Sequence, residues 1–313
     1  MNKVALIIIY NHQYNKNIDI LETIYKDRFS NIYHLIPFYY GEKQNVIPVY
    51  ECSFYFQGYI SQGLKTYFKK EYTHYFFVAD DLILNPIINE NNYAEHFKLN
   101  KNTCFIPNFV SLHDRQTYIL NEWWPRVNDA YYWNIKFRGV EAKNQIPFYD
   151  EALEKFKKFN LSINPLQFNQ IWKTPKTLID FGKIALNDKC YFFRRISSFI
   201  TRKKYHLSYP MVGSYSDIFI ISSNTIKDFC HYCGVFAATN LFVEVALPTS
   251  LVLSAEEIIT EKQLVLQGKA LWDEEQYKEL KKYSYSLKKL LEEFPKKYIY
   301  LHPIKLSKWD TKM

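Results

Sequence analysis

The residues of this chain best suited to chemistry begin with two adjacent carboxylates, Asp80 and Asp81, set in the apolar run THYFFVADDLILNP over 73–86. Tyr75, Phe76, Phe77 and Val78 are aromatic and β-branched, the composition of a strand buried on both faces, and such strands belong mainly to sheets covered by helices. The pair therefore falls at the carboxyl end of a core strand, the edge of an open α/β sheet where ligands bind. Two hard oxygen donors with no adjacent Lys or Arg suit a divalent cation that carries phosphates. The alternative is a plain turn, where Asp is common.

Three further groups lie far away in sequence. In YPMVGSYSDIFIISS, over 209–223, the small-residue turn Gly213-Ser214 lets backbone approach a ligand closely, and Asp217 leads into an apolar strand over 218–221. Asn240 is expected to cap a short helix over 241–247 that Pro248 ends, with Glu244 among Phe242, Val243, Val245 and Ala246. A carboxylate in that company is either exposed on a polar face or tuned as a base, because desolvation raises its pKa. YIYLHPIKLSKW, over 298–309, reads as a short strand ending in His302-Pro303, with Lys305 and Lys308 beyond it.

These groups need elements to hold them. A continuous apolar strand is expected over 4–10, and a helix over 18–29 on the spacing of Ile20, Leu21, Ile24 and Tyr25. A second strand follows over 31–37, then a helix over 57–70 with Tyr59, Ile60, Gly63, Leu64, Tyr67 and Phe68 on one side. This β-α-β-α-β order implies parallel strands joined by right-handed crossovers. The fold class is thus α/β, a mainly parallel central sheet flanked by helices. The loop Tyr10-Asn11-His12-Gln13 has neither G-x-G-x-x-G nor a P-loop, which argues against a dinucleotide cofactor and against ATP hydrolysis. Ser254-Ala255-Glu256-Glu257 reads as a capping box opening a helix, and 273–294 as a long amphipathic helix.

A chain of 313 residues, 48% hydrophobic, can bury a large core, and its net charge of +8 favours anionic partners such as nucleotides, phospholipid headgroups or nucleic acid. The run over 4–9 is too short for a signal peptide, and no segment has the roughly twenty apolar residues of a membrane span, so a cytoplasmic location is expected. Five scattered cysteines fit reduced thiols. Cys230-His231-Tyr232-Cys233 has metal-like spacing, but no second pair exists to complete a zinc site. Between 101 and 209 aromatics accumulate: Trp123, Trp124, Tyr131, Tyr132, Trp133, Tyr149 and Trp172. Such rings either grip sugars by stacking or fill a core, and Asn121 to Arg126 reads as an acceptor-facing loop. FFRRISSFITRKKYH, over 192–206, suits the headgroup boundary of an anionic membrane or a solvated helix face.

Three features in order, Ala79-Asp80-Asp81 at a strand end, Glu244, and His302 followed by Lys305 and Lys308, resemble the motifs of GT-A glycosyltransferases, which move a sugar from a nucleotide diphosphate donor. Ala79-Asp80-Asp81 looks like the family's Asp-x-Asp motif with Ala79 at the first Asp. The His302 segment is similar to the His-x-x-Gly-x-Lys of retaining members, without its Gly. The resemblance spans most of the chain and implies one GT-A-like domain, with a nucleotide-binding half over 1–100 and an acceptor-binding half over 101–313, whose helical and tail segment completes the site.

It further implies Mn²⁺ or Mg²⁺ held by Asp81, Asp80 and His302, the imidazole favouring Mn²⁺. Asn11 and His12 would meet the nucleotide base and Lys305 the diphosphate, with Asp80 and Lys308 also among the donor-binding residues. Asp217 and Glu244 are the candidate catalytic carboxylates. Glu244 would deprotonate the acceptor hydroxyl in an inverting enzyme or stabilise charge on the sugar ring in a retaining one, and the His302 segment points to retention. Because a ligand imidazole must be neutral, activity supported by His302 is expected to fall below about pH 6.5. The implied partners are a UDP-linked hexose donor and a saccharide or lipid-linked saccharide acceptor of bacterial O-antigen or capsule synthesis, with peripheral membrane contact through 192–206 and no nucleic acid. Two other classes stay open: a sugar-nucleotide pyrophosphorylase, which needs a Gly-rich loop after the first strand, and a non-catalytic carbohydrate-binding subunit.

Overall fold

The computed structural model describes residues 3–112, 130, 133–135, 141–164 and 207–313. Trp123, Trp124, Tyr131, Tyr132, Trp172 and the 192–206 segment lie outside the described residues. The chain divides into two compact units: Met1–Phe109 with Ser214–Met313 form one, Val110–Gly213 the other.

The described strands are β1 (Lys3–Ile9), β2 (Ile32–Pro37), β3 (Val46–Val49), β4 (Tyr72–Ala79), β5 (Ile83–Leu84), β6 (Thr103–Phe105), β7 (Val110–Ser111), β8 (Val212–Gly213), β9 (Ile218–Ser222), β10 (Glu257–Ile259), β11 (Gln267–Ala270) and β12 (Tyr298–His302). The helices are α1 (Lys16–Tyr25), α2 (Gln57–Tyr67), α3 (Tyr93–His96), α4 (Tyr149–Lys158), α5 (Ile226–Ala238), α6 (Val243–Ser254), α7 (Glu274–Lys278) and α8 (Leu287–Glu292). In the second unit β7 and β8 pair antiparallel, and Trp133 is a buried core residue edge-on to Tyr209.

The first unit is built on a seven-stranded sheet of order β10-β6-β9-β4-β1-β2-β3. The expected β-α-β-α-β half is present, with β1 parallel to both β2 and β4. The sheet as a whole is mixed, because β9 runs antiparallel to β4 with Phe77 opposite Phe219. Strand alternation explains the unbroken apolar runs. Val4, Leu6, Ile8, Phe76 and Val78 enter one core with α1, while Ala5, Ile7, Ile9, Tyr75 and Phe77 enter the other with α2, α5 and α6. Phe77 and Phe219 stack at 4.7 Å, worth about 1 kcal/mol beyond burial. The C-terminal residues Leu287, Leu290, Ile304, Leu306 and Trp309 join the α1 core, so the tail packs back toward the strand tips.

Four local expectations fail, each for a visible reason. Asn240 does not cap α6; it stands in the left-handed region (φ 57°) and closes α5, with its N–H bonded to Ala237 and that of Leu241 to Phe236. Pro248 does not end a helix, since α6 runs through it to Ser254. Glu257 opens a strand, not a helix, and its carboxylate accepts from Thr103 Oγ1 (2.7 Å) and Asn100 Nδ2 (2.9 Å). The long helix over 273–294 is broken, because Ser284 and Tyr285 adopt left-handed φ of 52° and 53° between α7, a 3-10 turn and α8. Among the described residues no helix is long and apolar enough to cross a membrane. Cys230 and Cys233 are buried free thiols on α5.

Candidate active site

Asp80 and Asp81 stand where β4 ends. Asp80 N–H donates to Ile9 O at the end of β1 (2.9 Å), which sets the Asp80 side chain beside the tip of that strand. Its carboxylate is 4% exposed and accepts from Asn17 Nδ2 (2.9 Å) and from the Asn11 N–H. Burial, with the charge of Asp81, pushes this carboxyl up to about 7.

Asp81 faces the returning C-terminal segment. β12 pairs antiparallel with β5, Leu301 opposite Ile83, and Ile304 N–H donates to Asp81 O (2.6 Å). Two short strands thereby bring His302 Nε2 to 3.1 Å from Asp81 Oδ1, although the two lie most of the chain apart. The contact has ion-pair distance without hydrogen-bond alignment, and both Asp81 Oδ1 and His302 Nδ1 are buried without a hydrogen-bond partner among the described residues.

Asp217 precedes β9, and the antiparallel ladder continues to it: Ala79 N–H donates to Asp217 O (2.8 Å). Its Oδ2 lies 3.9 Å from His302 Nε2. Glu244 occupies the first turn of α6, and its Oε2 is buried with no hydrogen-bond partner among the described residues. The position of Glu244 follows from Pro248. Proline has no N–H to give the carbonyl four residues back, so Glu244 O is free to accept from Ser214 N–H (2.9 Å), three residues before Asp217.

The electrostatics of this cluster are those of charges short of water. Burial raises Asp217, opposed by the charge of His302; burial and the charge of Asp217 raise Glu244 well above the carboxylate range. Burial alone would lower His302, yet the charges of Asp217 and Asp81 outweigh it and the imidazole keeps its proton above the ordinary 6.5.

A pocket of about 230 Å³ opens on Asn11, His12, Asp80, Asp81 and Lys305. A second, of about 510 Å³, shares Tyr14, Asn17, Leu306 and Ser307 with it, and together they reach the size of a small-molecule site. The structure thus gathers five of the sequence-chosen residues around one pocket. Asp81, Asp217 and His302 meet in a charged cluster that reaches Glu244 through Asp217, and Asp81 belongs to both groups. Lys308 lies elsewhere, in a neighbouring pocket that shares Lys305.

No family model matches this chain. No curated protein matches it either, so a functional reading rests on the site itself.

Sequence reasoning missed three residues here. Asn17 holds Asp80, and nothing distinguishes it from Asn11 or Asn15 by pattern. Tyr215 (5.5 Å) and Trp272 (6.0 Å) set ring edges against the His302 imidazole. Tyr215 carried a usable signal, lying two residues before Asp217 and so on the same side of an extended chain; Trp272 sits in a loop with none.

The donor chemistry fits a divalent cation in part. An orphaned carboxylate oxygen on Asp81 stands beside an imidazole nitrogen, a hard oxygen and a nitrogen suited to Mn²⁺. Asp80 is already engaged by Asn17 and Asn11. Among the described residues no three His, Cys, Asp or Glu side chains form a complete cage, so Asp81 and His302 offer two ligands and leave the other positions to water or phosphate oxygens.

Proposed function

We propose that this chain is a metal-dependent, retaining glycosyltransferase that moves a hexose from a UDP-linked donor to a saccharide or lipid-linked saccharide acceptor. The observation that carries this reading is the convergence of Asp81, Asp217 and His302 from three separate strand ends, with Glu244 coupled to Asp217, beside a pocket that holds Asn11, His12 and Lys305. Asp81 and Glu244 each keep a buried oxygen without a hydrogen-bond partner among the described residues, which is costly, and a cluster that carries such a cost is suited to receiving a cation.

Each group then has work. Asn11 and His12 hold the base, Lys305 holds the diphosphate, and Asp81 with His302 would hold Mn²⁺ or Mg²⁺, which neutralises the charge that builds on a departing pyrophosphate. The Trp272 ring, 41% exposed beside the imidazole, offers a face on which a sugar stacks. Burial and the charge of Asp217 raise Glu244, and a cation at Asp81 and His302 would favour its ionised form, the proton passing to solvent, in which it can steady positive charge on the sugar ring. The setting we assign, from the resemblance of the motifs, is synthesis of bacterial O-antigen or capsule at the inner face of the cytoplasmic membrane. The 192–206 segment proposed to touch that membrane lies outside the described residues.

Calorimetric titration with UDP, with and without Mn²⁺, tests the reading. Binding is expected to strengthen about tenfold or more with the metal. The anomeric configuration of the transferred hexose, read by NMR, tests retention. Absent or metal-indifferent UDP binding refutes the donor assignment.

A further inference from the structure

We infer that the pocket adjoining the donor pocket across Lys305 binds a phosphate carried on a sugar, the phosphorylated end of the acceptor. This deepens the donor reading above, on which its identification with the acceptor rests. The cavity measures about 450 Å³, within the range of small-molecule sites. Lys278, Lys281, Lys305 and Lys308 line it, against Glu274 as the acidic group in the same wall. All four lysines are exposed, and none of their ammonium groups has an ion-pair or hydrogen-bond partner among the described residues. Other lysines of this unit do find carboxylates, as Lys43 does with Asp19 and Glu22, and Lys269 with Glu279. Four like charges around one cavity repel each other, and an anion between them removes that repulsion.

A second observation concerns the rings that line the same pocket. Ser284 and Tyr285 both take left-handed backbone, which is unusual for any side chain and strained for a bulky one. The turn is held from the tail: Asp310 N–H donates to Tyr285 O (2.8 Å), and Leu287 N–H donates to Asp310 O (2.9 Å). Its result is that the Tyr285 ring, 43% exposed, stands edge-on to Trp309 at 5.6 Å in the wall of the pocket. Rings and ammonium groups lining one cavity match a sugar phosphate, whose C–H face stacks while its phosphate takes charge-assisted hydrogen bonds. Lys278, Lys281 and Lys308 line this pocket and not the donor pocket, which shares only Lys305 with it.

The test is calorimetry on the full chain with glucose 1-phosphate, glucose and inorganic phosphate as separate probes, each with and without saturating UDP and Mn²⁺. Glucose 1-phosphate is expected to bind in both conditions, about tenfold tighter than either glucose or phosphate. K278A/K281A should weaken it about tenfold or more, while UDP affinity reports the other pocket. Three results overturn the inference: displacement of glucose 1-phosphate by UDP, inorganic phosphate binding as tightly as the sugar phosphate, or an unaffected K278A/K281A. K278Q/K281Q repeats the measurement should the alanine pair fold poorly. Failure of UDP to bind refutes the donor reading and leaves the UDP-free titration intact, so the two failures are distinguishable.

Discussion

Asp80→Asn should stabilise the metal-free protein at alkaline pH and not at acid pH. The Asp80 carboxyl is almost fully buried, and its pKa stands at about 7 against an ordinary 3.8. Below pH 3.8 both folded and unfolded chains hold the proton, and the group contributes nothing. Between 3.8 and 7 the unfolded chain releases it while the folded chain keeps it, so folding takes up a proton and stability falls as pH rises. Above 7 the full penalty applies, about 4 kcal/mol at 1.36 kcal/mol per pH decade. Asparagine mimics the protonated acid. It offers a single oxygen to the Asn17 and Asn11 donors, which costs about 1 kcal/mol at any pH. Urea denaturation with EDTA at pH 4.5 and 8 should therefore find the variant gaining about 3 kcal/mol on the parent between the two. A difference that stays the same at both pH values refutes the account of Asp80 as a buried carboxyl carried at a cost. If the cost serves a cation, Mn²⁺ with UDP should release protons on binding near pH 7, visible as a dependence of the calorimetric heat on buffer ionisation enthalpy.

Asp81→Ala should lower transfer about a thousandfold while the melting temperature changes little, since its side chain is partly exposed; full turnover with added Mn²⁺ would remove Asp81 from the metal. Glu244→Gln should reduce kcat about 10²-fold or more with donor Kd nearly constant, and a loss confined to donor affinity would move Glu244 to the nucleotide site. Trp272→Ala should raise acceptor KM about fivefold to tenfold and leave UDP binding alone, as measured by initial rates and calorimetry. For His302, whose folded value lies above 6.5, the stability contributed by its carboxylate partners is fully present below pH 6.5 and lost as pH rises through that value. A His302→Ala protein should show a flatter alkaline limb in its stability profile, and an unchanged limb contradicts the pairing.

How much of this was legible in the sequence depends on which residues carried the instruction. β4 and its abrupt end were readable, because burial on both faces demands an unbroken apolar run and two carboxylates cannot continue it. β3 was not. Its four residues include Pro48, tolerable only because β3 is the edge of the sheet and Pro48 points outward, facts of neighbours and not of sequence. The meeting of His302 with Asp81 was expected by resemblance alone; its physical cause, the pairing of a five-residue strand with a two-residue one, leaves almost no periodic trace. Pro248 is the most instructive failure. Local rules end a helix there, because the ring removes a donor and crowds the carbonyl of Glu244. The helix continues because Ser214, remote in sequence, supplies the missing donor. That rescue also ties the chain segment before Asp217 to the first turn of α6, so the residue that breaks the local pattern is the one that sets the two candidate catalytic carboxylates within reach of each other's charge.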